Sequence, residues 1–135
     1  MSGRKSNLKQ YKVISAGVMT GTNVLTSSVT AIEFLDNLSY QFDWTSSPVG
    51  TFQIQISNTY NQDNNGNVIT TGTWVPITMT YYSSGAWTTA TTLPTSVGTP
   101  IYVDVTQTSA PWIRAVYTNA SGTGVLNVTI SGKML

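Results

Sequence analysis

Ile101-Tyr102-Val103-Asp104-Val105, Trp112-Ile113-Arg114-Ala115-Val116-Tyr117 and Val125-Leu126-Asn127-Val128-Thr129-Ile130 decide the reading of this chain. Each alternates apolar with polar or small residues, the period of two that a β-strand needs to bury one face. Thr108-Ser109-Ala110-Pro111 ends the first and lets the second begin just after a proline, where a missing N–H does little harm. Ser121-Gly122-Thr123-Gly124 predicts a hairpin between the last two.

The same pattern extends towards the N-terminus. Over residues 38–45, Leu38, Tyr40, Phe42 and Trp44 share a face, with Ser39, Gln41 and Asp43 on the other. Over residues 51–57, Phe52, Ile54 and Ile56 point one way and Gln53 and Gln55 the other. With the turn-forming Ser46-Ser47-Pro48-Val49-Gly50 between them, these two segments read as a hairpin. Residues 11–19 read as the first strand, with Val13 and Ile14 on opposite faces. Residues 24–28 and 30–35 are further strand candidates, although Glu33 could instead cap a short helical turn. Residues 74–79 form a strand whose Pro76 suggests an edge or a bulge. Residues 81–93 are rich in Tyr, Trp, Thr and Ser, with Ser84-Gly85 as their turn. No helical periodicity of useful length occurs. The expectation is an all-β, antiparallel β-sandwich, jelly-roll-like, of about eight strands.

The chain has 135 residues, enough for one domain with its own core. Charged residues make up 8%, against about 25% in an average soluble domain. Ser, Thr, Asn and Gly fill the polar positions instead, a profile suited to an extracellular or particle-surface protein. The absence of cysteine excludes disulfides and thiolate metal sites, and the absence of histidine removes the commonest general base. Apolar runs are too short for a membrane span, and the N-terminus has no apolar signal core. A surface-like composition made in a cytoplasm without a signal peptide fits a virion component released by lysis.

Charge is unevenly placed. Arg4, Lys5, Lys9 and Lys12 fall in residues 1–12 with no acid among them, whereas the rest of the chain holds two basic and five acidic side chains. This divides the chain into a basic N-terminal arm, residues 1–12, and a sandwich domain, residues 13–135. The arm is either an anchor for an acidic partner or a solvated terminus. Four charges could neutralise at most about four phosphates, so any nucleic-acid contact would be weak and salt-dependent.

Other constellations carry less. The acids Glu33, Asp36, Asp43, Asp63 and Asp104 have no histidine to work with, and a catalytic carboxylate pair is not indicated. Asn61-Gln62-Asp63-Asn64-Asn65-Gly66 has the opening spacing of a calcium loop, but its twelfth position is Gly72 where a glutamate is needed; an Asn-Gly turn explains the same residues. No metal and no cofactor is expected. Tyr81, Tyr82 and Trp87, with Tyr60 at the start of another loop, are candidate contact aromatics for a protein interface or a glycan, with core packing as the structural reading. Arg114 shares a face with Trp112 and Val116; if that face is buried it needs an acceptor, and an ion pair with Asp104, or else Asp43, is expected.

Several blocks carry a family likeness: Tyr40-Gln41-Phe42-Asp43-Trp44, Pro48-Val49-Gly50-Thr51-Phe52-Gln53-Ile54-Gln55-Ile56-Ser57, Gly72-Thr73-Trp74-Val75-Pro76-Ile77, and Ala110-Pro111-Trp112-Ile113-Arg114-Ala115-Val116-Tyr117 followed by Ser121-Gly122-Thr123-Gly124 and Gly132-Lys133. Over about residues 30–133 the chain resembles small β-sandwich proteins of tailed bacteriophages. The resemblance implies a non-enzymatic virion structural protein, such as a capsid decoration or cement protein or another head-associated component, forming homo-oligomers and contacting capsid, neck or tail subunits. The alternative is a glycan- or receptor-binding module of a tail or fibre. The likeness to galactose-binding jelly rolls is one of layout alone, since no sugar-binding residue matches by position.

Overall fold

The computed structural model describes residues 8–33, 35–105 and 110–134, and among them the chain is built almost entirely of strands. In chain order these are β1 (Leu8–Met19), β2 (Val24–Thr26), β3 (Thr30–Ala31), β4 (Leu35–Trp44), β5 (Val49–Ser57), β6 (Asn61–Gln62) and β7 (Val68–Thr70). They continue with β8 (Val75–Pro76), β9 (Met79–Ser83), β10 (Ala86–Ala90), β11 (Leu93–Pro94), β12 (Ile101–Val105), β13 (Trp112–Ser121) and β14 (Gly124–Met134). These fourteen strands exceed the expected number of about eight; eight of them have five residues or more. The other six are two or three residues long, too short to show a period. One turn of 3-10 helix, Thr95–Val97, precedes β12.

All pairings are antiparallel. The first sheet has the order β1-β14-β4-β12-β9-β10; the second has β11-β5-β13-β2, with β3 also on β13 and β8 also on β5. The inward residues of both sheets form one core. An aromatic stack crosses it: Tyr40 and Phe42 of β4 lie 6.0 Å apart by ring centroid, Phe42 and Trp44 reach Phe52 of β5 at 4.5 and 5.3 Å, and Phe52 meets Tyr117 of β13 at 4.7 Å. Leu38, Tyr40, Phe42 and Trp44 are thus core residues, as their shared face predicts.

The expected hairpins are corrected. β4 belongs to the first sheet and β5 to the second, so residues 46–48 cross the sandwich instead of turning within a sheet. β13 and β14 likewise lie in different sheets, joined by residues 122–123. Two strands that face each other across a core show the same alternation as two that are hydrogen-bonded side by side, so the pattern alone cannot separate them. The two crossings support one another: Thr45 N–H donates to the Val125 carbonyl at 3.1 Å, and Val125 N–H to Thr45 Oγ1 at 3.1 Å. Ser46 adopts φ 62° and Gly122 φ 73°, the left-handed conformation that lets each turn reverse sharply. The tight hairpins are instead β9–β10 and β6–β7.

Asn119 knots this end of the sandwich. Buried at 2% exposure, it donates through Nδ2 to the carbonyls of Gly21 and Gly122 at 2.9 and 3.2 Å, and Oδ1 accepts the Tyr117 hydroxyl at 2.6 Å. Gly50, opposite Asn119 on β5, is required there: a Cβ would run into the Tyr117 hydroxyl and the Thr118 carbonyl. Its N–H donates to Thr95 Oγ1 at 3.1 Å.

β1 departs from simple alternation. Its register on β14 shifts between Lys12 and Ile14 and again between Ile14 and Gly17, so Val13 and Ile14 are both buried instead of facing opposite ways. The strand begins at Leu8, which makes Lys9 and Lys12 of the expected arm part of the first sheet. Pro76 sits on β8, which pairs with β5 alone, the edge position its missing N–H favours. Glu33 is a turn residue, and the Leu35 N–H donates to the Ile32 carbonyl at 3.0 Å.

Candidate recognition face

The outer face of the first sheet is assembled by alternation from strands distant in sequence. Ile101, Val103 and Val105 of β12 point inward, which turns Tyr102 and Asp104 outward; Met79 and Tyr81 of β9 point inward, which turns Thr80 and Tyr82 outward. Registered pairs set Gln10, Ser131, Ser39, Asp104, Thr80 and Thr89 in one row across all six strands. Beside it, Lys12, Thr129, Gln41 and Tyr102 make a second row. A groove of about 260 Å³ opens here, lined by Gln10, Ser39, Gln41, Tyr102, Thr129 and Ser131.

One end of the face is aromatic. Trp87 of β10 lies opposite Tyr82 of β9, their rings edge-to-face with centroids 5.4 Å apart, and Trp87 meets Tyr102 of β12 edge-to-face at 6.1 Å. These rings are 50% (Tyr82), 55% (Trp87) and 44% (Tyr102) exposed, and no hydrogen bond among the described residues engages their hydroxyls or the Trp87 indole N–H. Of the aromatics singled out from the sequence, Tyr82 and Trp87 therefore meet on the surface. Tyr81 does not join them: the β9 alternation turns it into the core at 9% exposure. Tyr102 takes its place. Sequence reasoning passed over it because its neighbours come from strands 15 or more residues away; its outward parity among Ile101, Val103 and Val105 was the available signal.

A second aromatic cluster lies on the opposite side of the sandwich. Tyr60 packs against Trp74 at 5.4 Å and against Trp112 at 5.1 Å, and the Arg114 guanidinium sits 4.2 Å over the Trp74 ring. Arg114 Nε donates to Gln55 Oε1 at 2.8 Å, and Gln55 Nε2 to Gln53 Oε1 at 3.2 Å. The expected Arg114–Asp104 ion pair is corrected by this geometry. Arg114 lies on the outer face of the second sheet and Asp104 on the outer face of the first, with the core between them; Asp43 also belongs to the first sheet. The face shared by Trp112, Arg114 and Val116 is the outer one, and its acceptors are an amide and an indole ring. Partial burial lowers the Arg114 pKa, though a guanidinium stays charged.

The loop with calcium-like spacing forms the β6–β7 hairpin. Asp63 Oδ1 accepts the N–H groups of Asn65 and Asn67 at 2.8 and 2.9 Å, and Oδ2 accepts Asn67 Nδ2 at 3.3 Å. The backbone N–H of Asn67 foremost, and then that of Asn65, hold the carboxyl below its usual range. No cluster of three or more acidic, histidine or cysteine side chains exists among the described residues. A larger cavity, about 390 Å³, lies between residues 46–50 and 94–99 and is lined by no titratable side chain.

Of the basic candidates, Arg4 and Lys5 lie outside the described residues. Lys9 and Lys12 lie on β1, an edge strand, and the register sets Lys133 opposite Leu8. Five of the six basic residues thus lie on this edge of the first sheet or precede it in the chain, and Arg114 alone stands elsewhere.

No family model and no curated protein matches the chain. Among solved structures, its fold is similar to the crystal structure of the SPBc2 prophage-derived protein YomS, with a TM-score of 0.56 at 13% identity over 93% of this chain and 91% of that one.

Proposed function

We propose that this chain is a non-enzymatic structural protein of a bacteriophage virion, a decoration, cement or other head-associated subunit seated through the basic edge of its first sheet. The observation that carries the reading is the near full-length fold correspondence with a prophage-derived protein. Two features support it. The chain is poor in charge, and the described residues hold no group of three or more acidic, histidine or cysteine side chains. Four of the six basic residues lie in β1 or in the chain preceding it, and Lys133 is registered opposite Leu8, a grouping that suits an acidic patch on a neighbouring subunit.

Mass-resolved composition of purified particles tests this reading. Hundreds of copies per particle are expected for a decoration or cement protein. A few to a few dozen copies would move it to the tail, neck or a vertex, and absence from the particle would overturn the reading. Because β1 begins at Leu8, removing residues 2–7 tests the anchor without cutting the sheet. Loss of incorporation by a folded truncated protein is expected; normal incorporation of both that protein and a Lys9→Glu/Lys12→Glu/Lys133→Glu variant would refute anchoring at this edge.

A further inference from the structure

We propose that the outer face of the first sheet binds a neutral glycan, with Trp87 as the stacking platform and the groove beside Tyr102 holding the hydroxyls of an adjoining ring. The inference goes beyond the virion reading and stands on this face alone. Its first support is the division of labour across the face. A pyranose ring presents an apolar C–H face and a rim of hydroxyls that each donate and accept. The first calls for an exposed aromatic ring and the second for amides and hydroxyls, which also do both. Tyr82, Trp87 and Tyr102 supply the first, and Gln10, Ser39, Gln41, Thr129 and Ser131 the second. Tyr102 belongs to both, as a member of the ring cluster and a wall of the groove.

The second support is size and charge. A groove of about 260 Å³ is slightly below the usual range of small-molecule pockets, fitting one sugar ring at a time and not a large rigid ligand. None of its six lining side chains is charged. At its rim stand Lys12 beside Thr129, Lys133 two residues beyond Ser131, Asp104 beside Ser39, and Asp43, which accepts from Gln41 Nε2 at 3.1 Å. Two carboxylates against two ammoniums leave the rim without net charge, which suits a neutral sugar. The third support is rigidity: the three rings stand on hydrogen-bonded strands, so little conformational freedom is lost on binding.

The test is a titration of the ¹⁵N-labelled full chain with maltohexaose, cellohexaose and N-acetylchitohexaose, followed by NMR. Saturable shifts are expected with at least one of them, at the Trp87 indole N–H and at the amides of Gln41, Tyr102 and Thr129. Trp87→Ala should weaken that binding about tenfold, the scale of one aromatic contact. Trp74→Ala, on the opposite face, should leave it unchanged. Absence of saturable shifts with all three sugars at tens of millimolar would overturn the proposal. So would shifts centred on the second sheet, or undiminished binding by a folded Trp87→Ala/Tyr102→Ala protein. Shifts at Trp87 that follow protein concentration without sugar would assign the face to a second copy of this chain and overturn it as well. Sugar binding by a protein absent from particles would remove the virion reading and leave this one standing.

Discussion

The sandwich carries a three-ring cluster on each outer face, and the two are put to different use. On the second sheet, Tyr60 is buried between Trp74 and Trp112, its hydroxyl donates to Gln62 Oε1 at 2.9 Å, and the Trp74 indole donates to the Thr71 carbonyl at 3.0 Å. These rings pin the segment between β5 and β8 to the sheet, and the polar tips of Tyr60 and Trp74 are bonded within the chain. On the first sheet, Tyr82, Trp87 and Tyr102 hold down no loop, are about half exposed, and leave their polar tips to solvent. Two clusters of three Tyr and Trp rings therefore have unequal roles. Burial and the fate of the polar tip distinguish an aromatic residue that holds structure from one available to a partner.

The largest effect should come from the pinned cluster. Tyr60→Ala removes a buried ring at the centre of three and should cost about 3 kcal/mol in denaturant unfolding; a cost within the noise of a surface substitution would break the distinction. The rule can next be tried inside the core. Tyr117→Phe strips the buried Asn119 Oδ1 of its donor and should cost about 2 kcal/mol. Tyr40, by contrast, has a buried hydroxyl with no partner among the described residues, and that burial pushes its phenol pKa far up. Tyr40→Phe should be neutral or stabilising by up to about 1 kcal/mol. Equal losses from these two substitutions, read from the same melts, would show that the bonded tip is not what matters.

Trp74→Ala removes the surface under the Arg114 guanidinium and should cost about 1 kcal/mol, with Arg114 still held by Gln55. Acid should act on the same side of the molecule but only locally. The Asp63 carboxyl titrates below its unfolded value, so its contribution is complete above about pH 4 and fades as pH falls through the lower folded value. Protection of the Asn65 and Asn67 amides against hydrogen exchange, relative to their intrinsic rates at each pH, should fall below about pH 4, and Asp63→Asn should abolish that pH response. The smallest effect belongs to the open cluster: Trp87→Ala should change stability by less than about 0.5 kcal/mol. A larger loss would mean that the exposed rings also hold the β9–β10 hairpin, which would narrow the contrast between the faces.

The legible and illegible parts of this fold divide along one physical line. Alternation assigned Leu38, Tyr40, Phe42, Trp44, Phe52 and Ile54 to the core, because a strand with one wet face must place its apolar residues two apart. The same parity was available for Tyr81 and Tyr82, adjacent residues sent to opposite sides, yet a segment read as loop-like gave no reason to apply it. The bulge that buries both Val13 and Ile14 left no mark in the local residues, since it depends on the register of β1 against β14. The Arg114 contacts were missed because the parity that groups it with Trp112 and Val116 does not say which side of the sheet is dry.

By itself, then, the sequence determined an all-β chain, most of its inward residues, an edge or a bulge at Pro76 and a composition poor in charge. Tertiary structure alone decided which strands are hydrogen-bonded and which face each other across the core. It also set Tyr102 against Trp87, Lys133 opposite the start of β1, and Arg114 on the far side of the core from Asp104. The reason is that alternation is a property of one strand and its nearest water, whereas pairing is a choice among strands that all carry the same alternation. That choice is settled only when every strand competes for a place in the same two sheets.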